Sequence, residues 1–306
     1  MKKVLVFTII IGISSILFFC TSETPPKESS KGVKNQLTLS QNKKSSNLNI
    51  SILLDLSDRI DTIKYSNPSM EFYKRDIGYL KSVAHAFSNN ISHKKSRHLD
   101  DKIQLYFDPE PSNASINDLS EELKFHITRE NGTKNYINKI STAYALEGLK
   151  IYKQALKDAN FVGSDTWGFF KNKVQDYCID EDYRNILVII TDGYIYYKDS
   201  NIDEGNLSSY ITPQKIRNKN LNKSNWKELM KSNKHGFIPV EQDLSNLEVL
   251  VLGINTSKKN NYDYDVLKKY WSDWLFGMGV KDQKFQFKMA GLPSNMDNII
   301  TEFISK

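Results

Sequence analysis

The sequence predicts an α/β fold in which a doubly wound, mostly parallel central sheet is flanked by helices. Three observations lead there. Residues 49–54 and 186–190 are short runs of apolar, largely β-branched side chains, the composition of central strands covered on both faces. From residue 48 onward, strand patterns of this kind alternate with helix patterns, the order that a parallel sheet with crossover helices requires. Both runs stop at an acid, in Asp55-Leu56-Ser57 and Thr191-Asp192-Gly193, and such sheets bind ligands beyond the carboxyl ends of their strands.

After the first strand, which closes at Leu54, a helix is expected over about 69–89. Tyr73, Ile77, Leu80, Ala84 and Phe87 fall three and four apart on one of its faces. Ile103, Leu105 and Phe107 then alternate with polar or amphipathic neighbours, as in a more exposed strand near the sheet edge, and Asp108-Pro109 stops it. A long helix over 135–158 carries Ile137, Ile140, Tyr144, Ile151 and Ala155 on one side. Strands at 185–191 and 247–254, a helix at 263–276, a short strand at 285–289 and a helix at 295–304 complete the alternation. Trp271, Trp274, Leu275 and Met278 have the spacing of a buried helix face rather than of an adhesive patch.

Residues 1–20 stand apart from this pattern. Lys2 and Lys3 precede an apolar run that ends at Phe19-Cys20 and turns abruptly polar, which resembles a bacterial lipoprotein signal with Cys20 as the lipidated residue. Phe19 departs from the small residue such signals carry there, and an uncleaved anchor is the alternative. Either way the rest of the chain is expected at the bacterial cell envelope, facing the periplasm or exterior. Residues 21–47, rich in Ser, Lys, Asn, Thr and Gln, read as a flexible polar tether spanning roughly 30 Å.

Only Cys178 remains after Cys20, so an intramolecular disulfide is not available and an apolar core must carry stability. The formal net charge is +6, and without Lys2 and Lys3 the balance is 40 basic against 36 acidic residues. That is too even to argue for nucleic acid. The 48–306 domain is interrupted at about 159–183 and, more extensively, at 194–246. The longer interruption leaves directly from Asp192-Gly193 and reads either as a surface loop or as a partner-selecting lid.

Between the two acids, Asn131-Gly132-Thr133 precedes the long helix. Taken alone this is a capping arrangement for free backbone N–H groups. In order, however, the elements are a strand ending in Asp-x-Ser, a helix, an exposed strand, Gly-Thr opening a helix, and a strand ending in Asp-Gly. Over roughly residues 48–306 this closely resembles the von Willebrand factor A (vWA) domain, a Rossmann-type three-layer sandwich. The resemblance implies a metal-ion-dependent adhesion site. Asp55 and Ser57 match the first two ligands of the family's Asp-x-Ser-x-Ser loop, Thr133 its threonine and Asp192 its final acid. Arg59 departs from the loop's third position, where the family has serine. Asp58 or Asp61 would then supply a substitute oxygen, or water would fill the gap, or Arg59 would pair with one of those acids.

An all-oxygen ligand set suits Mg²⁺ or another divalent cation. The function this implies is a membrane-anchored, extracytoplasmic binding module that engages a protein partner's acidic side chain through the cation. Nothing in the sequence pairs a nucleophile with a general base, so an enzyme is not expected. Two alternatives stand beside this reading. One is a metal-dependent hydrolase or phosphatase at the same sheet edge. The other is a metal-free vWA-like scaffold in which Arg59 replaces the cation and pairs with Asp192.

Overall fold

The apolar run at 49–54 becomes β1 (Asn47–Leu54), and every one of its residues after Asn47 is buried. The structure, a computed structural model, describes residues 47–256 and 260–306. The expected signal, Cys20 and nearly all of the expected tether lie outside the described residues. Among those that are described, no helix is long and apolar enough to cross a membrane.

The elements follow in near-regular alternation. After β1 come α1 (Phe72–Ser92), β2 (Asp100–Tyr106), α2 (Ala114–Glu121), β3 (Phe125–Thr128) and α3 (Lys134–Asp158). A short β4 (Gly163–Ser164), α4 (Thr166–Asn172) and α5 (Val174–Cys178) lead to β5 (Tyr183–Ile190). The stretch after Asp192 folds as β6 (Tyr196–Tyr197), β7 (Asp203–Glu204), β8 (Leu207–Ser208), α6 (Pro213–Asn218), α7 (Trp226–Asn233) and β9 (Gly236–Phe237). Finally come β10 (Leu247–Ile254), α8 (Asp263–Gly277), β11 (Phe285–Met289) and α9 (Pro293–Ile304).

Six strands form the central sheet in the order β11-β10-β5-β1-β2-β3. All neighbours are parallel except β2 and β3. The fold is therefore the α/β sandwich that the alternation predicts. In β1 and β5 the side chains divide between the two faces by strand periodicity. Ile50, Ile52, Leu54, Ile186, Val188 and Ile190 join α1, α3 and α9 in one apolar cluster. Leu53, Leu187 and Ile189 join α8, α4 and the segment after Asp192 in the other. The 194–246 stretch is thus packed structure, with Ile195, Ile211, Leu221, Trp226 and Phe237 buried. Trp271, Trp274, Leu275 and Met278 are buried too. Cys178 is free and fully enclosed, and burial pushes its thiol up to about 12.

One element changes the geometry of everything that follows it. The four-residue β3, not anticipated from the sequence, runs antiparallel to β2 and pairs Thr128 with Asp100 at the amino edge of the sheet. The chain therefore enters α3 from that edge and reaches the carboxyl edge only after 25 helical residues.

Candidate binding site at the carboxyl edge of the sheet

The ends of β1, β5 and β10 are laced together where the two acids emerge. Asp55 N–H donates to the Ile190 carbonyl at 3.1 Å, Thr191 N–H to Leu252 at 3.0 Å, and Asn255 N–H to Asp192 at 3.0 Å. Gly193 follows with φ +97°, and a Cβ there would stand 3.0 Å from Ile254 and 3.4 Å from Leu267. The turn after Asp192 thus needs glycine both for conformation and for space.

Asp55 is 3% exposed and both of its oxygens are engaged. Oδ1 accepts from Ser57 N–H at 2.8 Å, and Oδ2 accepts from the Thr191 hydroxyl at 2.8 Å. Oδ2 also faces Arg59 Nε at 3.3 Å. Arg59 sits on the single 3₁₀ turn Asp58–Ile60 and is 4% exposed. Its Nη1 lies 2.8 Å from Asp76 Oδ2. Its Nε and Nη2 donate to the Asp55 carbonyl at 3.1 and 2.7 Å, and Nη2 also donates to the Ile190 carbonyl at 3.2 Å. The Tyr152 hydroxyl donates to Asp76 Oδ2 at 3.0 Å. Burial alone disfavours the Arg59 charge, but Asp76 and Asp55 more than offset this and hold the guanidinium firmly protonated.

Asp192 is half-buried and accepts from Tyr194 N–H at 3.0 Å. Burial, with the Asp55 charge adding to it, raises its carboxyl to about 7, against the opposing pull of Arg59. Asp58 pairs instead with Lys64 at the exposed rim. Asp61 Oδ1 accepts from the backbone N–H groups of Ile63 and Lys64, at 2.8 and 3.1 Å. Asp58 thus has Lys64 as its partner while lining the same cleft as Ser57 and Asp192, and Asp61 is engaged by its own turn.

The four residues matched to a metal site do not converge. Asp55, Ser57 and Asp192 meet at the carboxyl edge, but Thr133 lies at the amino edge. The Cβ position of neighbouring Gly132 is 2.4 Å from Leu99 and 2.7 Å from the Thr128 carbonyl. Leu99 and Asp55 are separated by the length of β2, about 25 Å at strand rise. Thr133 is the cap of α3, accepting from Tyr136 N–H at 3.2 Å. Among the described residues no group of three or more His, Cys, Asp or Glu is disposed to hold a metal ion. With Thr133 at the opposite edge and a guanidinium against Asp55, the donor set does not fit Mg²⁺. The expected pairing of Arg59 with Asp192 is also corrected, because its ion pairs are with Asp55 and Asp76.

Above this floor opens a cleft of about 420 Å³. Ser57, Arg59, Asp192 and Asn255 form its base, Phe72 and Arg75 enter from α1, and Ser164, Tyr194, Tyr196 and Thr212 come from the two interrupting stretches. Ser164, Arg75 and Asp76 were not singled out from the sequence. A signal for Ser164 existed in Ser164-Asp165-Thr166, the hydroxyl-bearing turn after the long helix rather than before it. Asp55 has both oxygens committed and is enclosed, so it is not placed to attack a substrate.

No family model matches the chain, and no curated protein matches it. Among solved structures, the chain is similar to proximal thread matrix protein 1 from the mussel byssus. The identity is 11% and the TM-score 0.37, over 85% of this chain and 48% of that one. The chain thus spans about half the length of that protein.

Proposed function

We propose that the chain is a vWA-like binding module of the bacterial cell envelope, lipid-anchored through Cys20, which engages a protein partner at the carboxyl-edge cleft without a metal ion. The observation that carries this reading is the Arg59 guanidinium, which bridges Asp55 and Asp76 and takes two strand-end carbonyls. A fixed internal cation there does the structural work that the family assigns to a bound one: it neutralises the acids at the strand ends and holds the loop after β1 in shape. The Mg²⁺-bridged form expected from the resemblance lacks the support of Thr133 and loses access to Asp55.

The test is recovery of cell-envelope proteins on the full-length chain in Mg²⁺ and in EDTA. A partner retained equally in both supports the proposal. Retention that vanishes in EDTA, or no specific retention in either buffer, contradicts it.

A further inference from the structure

We infer that Arg75 is the anchor for a carboxylate on the ligand that occupies the cleft. This rests on the proposed function only in locating ligand binding at that cleft, not in the partner being a protein.

Arg75 is 6% exposed, yet its guanidinium makes no hydrogen bond among the described residues, and its Nε is buried without a partner. The nearest acid oxygen, Asp76 Oδ1, lies 3.8 Å from Nε, beyond hydrogen-bonding distance, and is itself unpartnered. The other Asp76 oxygen is taken by Arg59 and Tyr152. The Nε N–H has lost water without replacement, which is costly, whereas Nη1 and Nη2 are not enclosed in this way and remain free to donate into the cleft.

Its packing conserves the donor edge. The Arg75 guanidinium carbon lies 4.7 Å from the Phe72 ring centre and 5.9 Å from that of Tyr79. Contacts with ring faces leave the in-plane N–H groups for a planar, two-oxygen acceptor. The group lines the same cleft as the neutral polar side chains of Ser57, Ser164, Thr212 and Asn255.

The remaining lining decides between anions. Asp58, though paired with Lys64, and Asp192, ionised only in part near neutral pH, border the cleft, so a dianionic phosphate meets more repulsion there than a monoanionic carboxylate does. Tyr65 and Tyr196, 42% and 44% exposed, stand with Phe72 as walls for an aromatic or apolar body. The ligand class is therefore a carboxylate borne on an aromatic group, either a free acid or the C-terminal residue of a peptide.

Calorimetric titration of the full-length protein tests this with 3-phenylpropionate, 3-phenylpropionamide, phenyl phosphate and a pentapeptide ending in phenylalanine. Binding of the acid or the peptide, at least tenfold tighter than the amide and the phosphate, is expected. The tighter of the acid and the peptide identifies the source of the carboxylate. Arg75→Gln is expected to abolish that preference while leaving the melting temperature equal or higher, since it removes a buried charge whose counter-ion, Asp76, lies beyond hydrogen-bonding distance. Equal binding of acid and amide, tighter binding of the phosphate, no binding by any probe, or a preference that survives in Arg75→Gln would each overturn the inference. A lower melting temperature in Arg75→Gln with unchanged acid binding would make Arg75 structural. Partner retention in EDTA is measured independently, so loss of the carboxylate preference with retention intact removes this inference alone.

Discussion

Arg59 folds back across a single 3₁₀ turn onto Asp55, four residues before it, meeting both the carboxylate at 3.3 Å and the carbonyl of the same residue at 2.7 Å. A side chain thereby ties the loop to the strand end from which it departs. The second ion pair, to Asp76 at 2.8 Å, ties that strand end to α1. One buried cation thus holds together three pieces of chain that form the floor of the cleft.

Removing that cation takes the closest counter-charge from two enclosed carboxylates, leaving Asp55 its neutral hydrogen bonds and Asp76 the Tyr152 hydroxyl and the more distant Arg75. Arg59→Met is expected to destabilise the fold by about 3–5 kcal/mol, the range for breaking one side of a buried ion pair. Urea unfolding measures it. A loss below about 1 kcal/mol would mean that Asp55 and Asp76 are neutralised by something other than Arg59.

Asp192 gives the stability a pH dependence of definite sign. Its folded-state carboxyl is raised to about 7, above the 3.8 expected of an unperturbed one, so the folded state holds a proton that the unfolded state has released. The contribution of this group therefore falls as pH rises from about 4 to about 7. Because Asp192 is half-buried and water screens part of the effect, the loss is about 1–3 kcal/mol. Asp192→Asn should flatten that part of the profile and be more stable than the parent at pH 8. An unaltered pH profile would show that Asp192 ionises normally.

Thr133 is expected to act on α3 and not on ligand binding. Thr133→Ala should cost about 1 kcal/mol by loss of the helix cap, with Thr133→Ser restoring most of it. Urea midpoints for the two variants, beside titration of the cleft with 3-phenylpropionate, separate the roles. A change in cleft affinity with Thr133→Ala would return Thr133 to the site.

Gly253 is a further position where backbone conformation decides the outcome. It has φ +93° at a register shift in β10, and an added Cβ would stand 2.9 Å from the Thr191 carbonyl. Gly253→Ala is expected to cost about 1–3 kcal/mol and to disturb the strand end beside Asp192. Thermal unfolding checks it, and a neutral substitution would show that this bulge is not constrained.

The strands of the sheet were legible wherever burial on both faces made the residues uniformly apolar, as in Ile186 to Ile190. Helices were legible where the apolar stripe was long, as in α1 and α3. Phe125-His126-Ile127-Thr128 was not, because four residues with one charged-capable ring carry too little periodicity to register. That small omission had a large consequence, since one reversed strand moves the start of α3, and Thr133 with it, to the far edge. The acids at the strand ends were readable from the runs before them. Asp76 and Arg75 were not, because inside an amphipathic helix pattern they look like ordinary polar positions. Their importance comes only from the residues folded against them.

The most direct measurement is thermal unfolding of the protein during titration with Mg²⁺, against an ionic-strength control. A site already filled by Arg59 predicts no saturable rise in melting temperature and no difference on adding EDTA. A saturable rise that EDTA reverses and Asp55→Ala abolishes would contradict the account.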